Sequence, residues 1–137
     1  MKKLLFTLSL LGLLLSAGLS HGQNVVPVAS ASPAKAAVIN FKATTHDFGK
    51  IKMGAPVTAE FTFTNTGNAP LSITSVAPSC GCTVSSYTQE PVLPGKKGFI
   101  KATYNAKNPG VFNKSIAVTA NTTAQNMQLF IKGEVVN

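Results

Sequence analysis

Three observations on the sequence predict an all-β domain. Beyond residue 37, apolar and polar side chains alternate along short runs, as they do in strands that bury one face. Glycine, proline and asparagine separate these runs, as is typical of turns. After residue 22 no stretch repeats its apolar side chains with the 3.6-residue period of an amphipathic helix. About seven short strands in residues 38–137 predict an immunoglobulin-like Greek-key β-sandwich.

The first 22 residues have the pattern of a cleavable signal peptide. Lys2 and Lys3 precede the apolar stretch Leu4–Leu15, and small residues follow it, which favours cleavage after Gly22. Even the longer stretch Leu4–Leu19 is shorter than the roughly 20 residues that a membrane-spanning helix needs. We therefore expect the protein to be exported, with no transmembrane helix after cleavage.

Between the leader and the sandwich lies a segment of different composition. Residues 23–37 are rich in alanine, valine, serine and proline and show no sustained period. Such a composition predicts a flexible tether, with the sandwich beginning at residue 38. The mature protein is expected in the periplasm, at the cell surface or in the medium.

The strand-forming runs follow one another with short gaps. The clearest is Val57–Thr64, in which Phe61 and Phe63 share one face while threonine and glutamate occupy the other. The remaining runs are Val38–Phe41, His46–Ile51, Leu71–Val76, Thr83–Tyr87, Phe99–Tyr104, Ser115–Ala120 and Gln128–Val135.

Turn chemistry separates these runs at several places. Gly49 marks a turn or bulge, and Asn65–Pro70 is a turn in which asparagine and glycine tolerate positive φ. Pro94-Gly95 is a good pair for a type II turn. The lysines that follow, Lys96-Lys97, are expected to form a solvated loop tip, with contact to an anionic glycan or lipid as an alternative.

Composition argues against several classes of function. The chain has 137 residues and a net charge of +8, which becomes +6 without the leader, from ten lysines and four acidic residues. It has no arginine, the favoured side chain for reading phosphate and guanine, so we expect no nucleic-acid partner. His46-Asp47 could suggest a catalytic pair, but no nucleophile motif accompanies it. We therefore expect no enzyme activity.

The only two cysteines form the element Cys80-Gly81-Cys82, for which three interpretations stay open. An exported protein favours a disulfide, although the chain must bend tightly between neighbours so close, and Gly81 is the residue that would permit this bend. Two thiolates could instead hold copper(I) or half of a zinc site, but His46 is the only histidine left after cleavage. The third interpretation is simple packing of two small apolar side chains.

Several separated motifs, in the right order, resemble the bacterial domain-of-unknown-function 1573 family. They cover most of residues 39–137 and comprise HDFGKI (46–51), FTFTNTGN (61–68), Pro70-Leu71, SCGCT (79–83), Pro94-Gly95 and KGEV (132–135). The family is similar to the immunoglobulin-like domains of the ASPM/SPD-2/hydin group, so the resemblance also implies a sandwich. It implies no activity. The positions taken as the structural motif are His46, Asp47, Phe48, Gly49, Asn65, Gly67, Asn68, Pro70, Gly81, Pro94 and Gly95.

These observations lead to one function hypothesis and one alternative. The leading hypothesis is a non-enzymatic binding or scaffolding domain of the cell envelope, without a cofactor, whose partner is an envelope protein or a glycan. The alternative is a thiol-redox or soft-metal-binding module that uses Cys80 and Cys82.

Overall fold

The structure, a computed structural model, describes residues 34–137. The predicted signal peptide and all but the last four residues of the predicted tether lie outside the described residues. No helix in this part of the chain is long and apolar enough to cross a membrane. The strands are β1 (Ile39–Phe41), β2 (Thr45–Lys52), β3 (Val57–Asn65), β4 (Ile73–Pro78), β5 (Thr83–Tyr87), β6 (Lys97–Tyr104), β7 (Gly110–Ala120) and β8 (Met127–Val136).

The strands form two four-stranded sheets. One has the order β1-β3-β6-β5 and the other the order β2-β8-β7-β4. Neighbouring strands are antiparallel, except that β2 runs parallel to β8. This order matches the two sheets of an immunoglobulin-like domain, with β2 added beside the last strand. The predicted all-β Greek-key sandwich is confirmed, and each of its eight strands overlaps one of the eight strand-forming runs, one more than the overall estimate of about seven.

The core lies between the two sheets and follows the predicted alternation. In β3 the side chains of Ala59, Phe61 and Phe63 are buried, while Thr58 and Glu60 are exposed. Burial of a large apolar side chain contributes roughly 1.5–3 kcal/mol to folding. The inward-facing side chains of β6, in the same sheet, and of β7 and β8, in the other sheet, pack against these residues. They include Ile100, Ile116, Leu129 and Ile131.

The turn after β3 is organised by the buried side chain of Asn65. Its amide nitrogen donates hydrogen bonds to the carbonyl oxygens of Ala69 and Val92, each at 2.8 Å. Its side-chain oxygen accepts hydrogen bonds from the backbone N–H of Gly67 at 3.0 Å and of Val38 at 3.3 Å. All the hydrogen-bonding capacity of the amide group is thus used within the fold, and three chain segments are joined at one point.

Gly67 in the same turn is required for close approach rather than for positive φ. The positive-φ glycines of the described residues do not include it. A Cβ atom at this position would contact the carbonyl oxygen of Ala36 and would lie 2.6 Å from the nitrogen of Val38. The expectation of a left-handed glycine at Gly67 is therefore wrong, because the constraint comes from a neighbouring segment of the chain.

That neighbouring segment is the end of the predicted tether. Asn68 accepts a hydrogen bond from the N–H of Ala36 at 2.7 Å and returns one from its own N–H to the carbonyl oxygen of Ala36 at 2.9 Å. Ala37 is buried and forms a bridge with Thr122. The contacts of the sandwich therefore include the last two residues of the segment expected to be flexible.

Candidate functional site

The Cys80-Gly81-Cys82 element is a bend that carries the chain from one sheet to the other. It joins β4, at an edge of one sheet, to β5, at an edge of the other. The two cysteines form a disulfide, and their Cα atoms are 5.3 Å apart. Of the three interpretations of this pair, the structure therefore agrees with the disulfide.

Backbone hydrogen bonds fix the bend at both ends. Before it, the N–H of Ser79 donates to the carbonyl oxygen of Ser115 at 2.8 Å. Within it, the N–H of Thr83 donates to the carbonyl oxygen of Cys80 at 3.3 Å. After it, the N–H of Asn105 donates to the carbonyl oxygen of Cys82 at 3.0 Å. Both cysteines are half-buried, so the disulfide is held in a defined place and part of it reaches solvent.

Gly81 does not have the role expected from the sequence. Its φ is not in the left-handed region, and a Cβ atom built on it would have no atom within 4 Å. The expectation that the bend needs the conformational freedom of glycine at this position is therefore wrong. The turn is made by the backbone bonds of its neighbours and leaves Gly81 exposed to solvent.

The metal interpretation of the cysteines requires thiolates, which a disulfide does not provide. Within residues 34–137 no group of three or more histidine, cysteine, aspartate or glutamate side chains is close enough to hold a metal ion. His46 lies on β2, in register with Ile131 of β8, and its ring packs edge-on against Phe48 with the centroids 4.5 Å apart. The sequence analysis did not predict the contact between the rings of His46 and Phe48.

Two separated sequence motifs meet on the sheet that contains β2 and β8. One carboxylate oxygen of Asp47 accepts a hydrogen bond from the N–H of Gly49 at 2.8 Å, and the other lies 3.7 Å from the Nζ of Lys132. Gly49 has φ of +65° within a bulge of β2. A Cβ atom on Gly133 would lie 2.8 Å from the carbonyl oxygen of Gly49, so both glycines are needed for the strands to pair here.

A shallow groove runs across these motifs on the outside of the sheet. Its volume is about 360 Å³, and its walls include Asp47, Lys50, Asn113, Lys132 and Glu134. These charges balance one another, two lysines against two carboxylates. The groove combines residues from three strands, which no local sequence motif could have shown.

The first half of β7 was missed by the sequence prediction. The strand was expected to begin at Ser115, but it begins at Gly110. Phe112 is buried as the alternation requires, whereas Lys114, on the same inward-facing side, interrupts the apolar pattern. Val111 points outward and is 84% exposed. An aromatic side chain two residues after Gly110 was the available signal.

Comparison with solved structures shows the same fold in proteins of distant sequence. A protein of unknown function from Porphyromonas gingivalis W83 matches with a TM-score of 0.66 at 19% identity, over 77% of this chain and 50% of that one. This chain thus spans about half the length of that relative. The ASH/PapD-like domain 7 of human CEP192 matches with a TM-score of 0.60 at 9% identity, over 74% of this chain and 87% of that domain.

A protease gives a third match, and the curated proteins give none. The VesB protease of Vibrio cholerae has a TM-score of 0.56 at 13% identity, over 74% of this chain and 32% of that one. Likeness at such identities concerns the fold alone. No curated protein matches this chain.

The family resemblance seen in the sequence motifs is confirmed by a comparison with family models. The match covers residues 39–135, from the first residue of β1 to the next-to-last residue of β8, and so includes every strand of the sandwich. This chain belongs to the family described as protein of unknown function (DUF1573).

Proposed function

We propose that this protein is an exported, non-enzymatic binding or scaffolding domain of the cell envelope. Its partner is another envelope protein or a glycan, and it acts in the periplasm, at the cell surface or after secretion. The fold alone does not carry this proposal, because sandwiches of this type host many functions. The proposal depends on what the motif residues of this chain do.

The observation that carries the proposal is that the polar motif residues are used to build the sandwich. Asn65 uses its whole amide group to join three segments, and Asn68 binds the backbone of Ala36. Asp47 binds the backbone of Gly49 and the side chain of Lys132. Residues with these bonds stabilise a rigid scaffold, and a rigid scaffold presents loops and edges to a partner.

The disulfide supports the exported location. Disulfides persist in oxidising compartments and are rare in the reducing cytosol. Cys80 and Cys82 form one, and the sequence before the domain has the charged, apolar and small-residue regions of a signal peptide. The disulfide and the leader therefore both favour a location outside the cytoplasm.

The export part of the proposal is tested on the full chain expressed in a bacterial host. The mature protein should be found outside the cytoplasm, with an intact mass that corresponds to a first residue of Gln23. Replacement of Leu10 and Leu11 by lysine in the leader should leave the protein in the cytoplasm with its leader attached. Full-length protein in the cytoplasm for the unaltered chain would refute export.

The binding part is tested with the purified domain immobilised at its C-terminus. Solubilised envelope proteins and isolated cell-wall glycan are passed over it, and an unrelated immunoglobulin-like sandwich serves as the control. Specific retention of one component supports the proposal. Retention equal to that of the control in both fractions contradicts it.

A second candidate function follows from the half-exposed position of the disulfide. An exported dithiol could attack one sulfur, form a mixed disulfide and then release reduced Cys80 and Cys82 together with its own disulfide, which balances the two electrons. The reduced pair would offer two thiolates to a soft cation such as copper(I), or half of a zinc site. The Cys80-Cys82 pair would then be a redox or metal-binding module.

Equilibration with glutathione buffers distinguishes the second candidate from a purely structural disulfide. The fraction of reduced thiols is measured by alkylation and mass spectrometry, followed by addition of copper(I) or zinc to the reduced form. Reduction within the range of the glutathione buffers supports the redox function. A pair that stays oxidised throughout, in a chain whose folding is intact, contradicts it.

A further inference from the structure

The sheet that contains β7 has a vacant strand position. β4 pairs with β7 from Ile73 opposite Ala120 to Pro78 opposite Ile116, and Ser79 adds one more contact, with Ser115. β7 itself continues to Gly110, paired with β8 in an unbroken register. Within the described residues, no strand pairs with Gly110–Lys114 on the side where β4 stops, and we call this position the β7 lane.

The backbone groups that point into the β7 lane follow from the alternation of antiparallel pairing. The N–H of Ser115 donates to the side chain of Ser79 at 3.2 Å, and its carbonyl oxygen accepts from the N–H of Ser79, so Ser115 faces β4. Alternate residues of a strand face the same neighbour. The backbone N–H and C=O groups of Val111 and Asn113 therefore point into the lane, whereas those of Phe112 and Lys114 point toward β8.

These groups have no other partner in residues 34–137. No hydrogen bond outside the β7–β8 ladder involves the backbone of Val111 or Asn113. Two N–H and two C=O groups thus point along the plane of the sheet into the lane. A row of this kind is the template that an extended peptide uses when it adds a strand to a sheet.

The disulfide bend is the reason that the lane exists. At Cys80 the chain leaves the plane of the sheet, and at Thr83 it has joined β5 in the other sheet. The hydrogen bond from Asn105 to Cys82 holds it there. Without this bend, β4 could continue beside β7 and satisfy the groups of Val111 and Asn113 itself.

Three of the four edge strands are short or interrupted, in the manner of natural sheets, whereas the fourth, β5, is a regular strand of five residues. β1 has only three residues. β2 shifts its register between Asp47 and Lys50, and β4 does so between Ile73 and Ser75. The β7 lane has no register shift and no proline between Gly110 and Lys114, so it is a regular edge.

The side chains beside the lane indicate what it would accept. On the outer face, Val111 is 84% exposed, which is unusual for a valine in a strand. On the inner face, Phe112 is stacked on Tyr104 with the ring centroids 4.0 Å apart. Lys114 is half-buried, and it takes part in neither of the ion pairs of the described residues. Apolar side chains beside Val111 and Phe112, and a carboxylate beside Lys114, would complement this edge.

We propose that the β7 lane binds an extended segment of another protein, which adds an antiparallel strand where β4 stops. The segment carries an acidic residue opposite Lys114 and apolar residues opposite Phe112 and Val111. This inference rests on the proposed binding function and specifies its site and the chemistry of its partner. The backbone of β7 provides the affinity and the flanking side chains provide the selectivity.

Hydrogen exchange of the free domain tests the lane itself. The amides of Phe112 and Lys114, bonded to β8, should be protected at least tenfold more than those of Val111 and Asn113, which lack a partner. Equal protection of all four amides would overturn the assignment of the lane, because it would mean that another part of the chain already fills it.

A designed peptide tests binding. The probe is acetyl-Glu-Thr-Val-Val-Thr-amide, aligned so that its glutamate is opposite Lys114 and its second valine is opposite Val111. On titration into the ¹⁵N-labelled domain, the amides of Val111 and Asn113 should shift and become protected from exchange. Shifts confined to other strands, or no shifts at millimolar peptide, would overturn the proposal.

Matched probes separate strand addition from ordinary contact. N-methylation of the second or fourth peptide residue, which face β7, should weaken binding at least tenfold, since each removes one hydrogen bond. N-methylation of the third residue, which faces away from β7, should change it less than threefold. Equal effects of the three probes would contradict strand addition.

A charge exchange tests the contact with Lys114. The variant Lys114→Glu should lose about tenfold in affinity for the glutamate probe and regain it for a probe with lysine in that position. The matched variant Lys107→Glu, in the loop before β7, should discriminate less between the probes. Failure of the exchange in a Lys114→Glu domain with an unchanged melting temperature would overturn the proposed register.

Different results would refute the β7 lane and the proposed binding function. An envelope protein that is retained by the domain but leaves the amides of Val111 and Asn113 unprotected would refute the lane and keep the binding function. A domain that binds the probe peptide but retains no envelope component would keep the lane as a peptide site and refute the proposed role.

Discussion

The side-chain nitrogen of Asn65 donates a hydrogen bond of 2.8 Å to the carbonyl oxygen of Val92, 27 residues further along the chain. Asn65 is completely buried, and its other bonds reach Val38, Gly67 and Ala69. A single polar side chain thus sets the relative positions of the first strand, the turn after β3 and the loop before β6.

Asn65→Ala should therefore be among the most destabilising substitutions in the domain. It leaves the carbonyl oxygen of Ala69 and the N–H groups of Val38 and Gly67 without their partner and removes one of the two donors to the carbonyl oxygen of Val92. We expect a loss of about 3 kcal/mol in the free energy of unfolding. Urea denaturation followed by circular dichroism measures it. The matched control is Asn68→Ala, which is exposed and should cost less than about 1 kcal/mol. Similar losses for the two variants would show that burial of the amide is unimportant.

Gly133→Ala should destabilise the pairing of β2 with β8. The new methyl group would lie 2.8 Å from the carbonyl oxygen of Gly49 and 2.9 Å from the Cζ of Phe112, so strand or ring must move. Overpacking of this kind typically costs about 1–3 kcal/mol. The shift in melting temperature measures it, and a melting temperature equal to that of the unaltered chain would contradict the close approach.

Gly81→Val should have almost no effect on stability. The backbone of Gly81 is not left-handed, and its surroundings are open, so a larger side chain meets neither strain nor a clash. We expect a change within about 0.5 kcal/mol, with the disulfide still formed. Thermal unfolding and the mass after alkylation measure the two quantities. A large loss of stability would restore the role that the sequence suggested for this glycine.

Loss of the disulfide should have a small effect on the stability of the domain. The closed loop spans three residues, for which the chain-entropy estimate is roughly 1.5 kcal/mol. The double variant Cys80→Ser/Cys82→Ser should therefore remain folded, with a slightly lower urea midpoint. Addition of a reductant to the unaltered chain should lower the midpoint by a similar amount. An unfolded variant would mean that the disulfide is essential for the crossing between the sheets.

The strand pattern was readable from the sequence because it depends on local alternation. β3 and β5 lie where the sequence placed them, since Phe61 and Phe63 follow a two-residue period and Thr83–Tyr87 is bounded by a bend and a loop. The start of β7 was not readable, because Lys114 interrupts the inward-facing series of that strand. A half-buried lysine at a sheet edge is a tertiary feature.

Glycine roles could be predicted only where they are local. Gly95 has φ of +78° after Pro94, as the Pro-Gly pair suggested. Gly67 and Gly133 are instead required because a segment distant in sequence packs closely against each of them. Such a contact cannot be predicted from the residues around the glycine. The same reason applies to the cysteines. Their spacing allowed a disulfide, but the backbone bonds that bring them together come from Ser115 and Asn105.

The parallel pairing of β2 with β8 has a mechanical consequence. The chain enters the sandwich beside Asn65 and leaves it after Val136, at the opposite end, where Val136 is paired with Lys52. A force that pulls these two ends apart would first load the three-residue pairing of β1 with β3 and would then drag β2 and β8 past each other along their length. The bonds from Thr45–Phe130 to Lys52–Val136 would share this load, so we expect the domain to resist stretching along this axis better than peeling of a single strand.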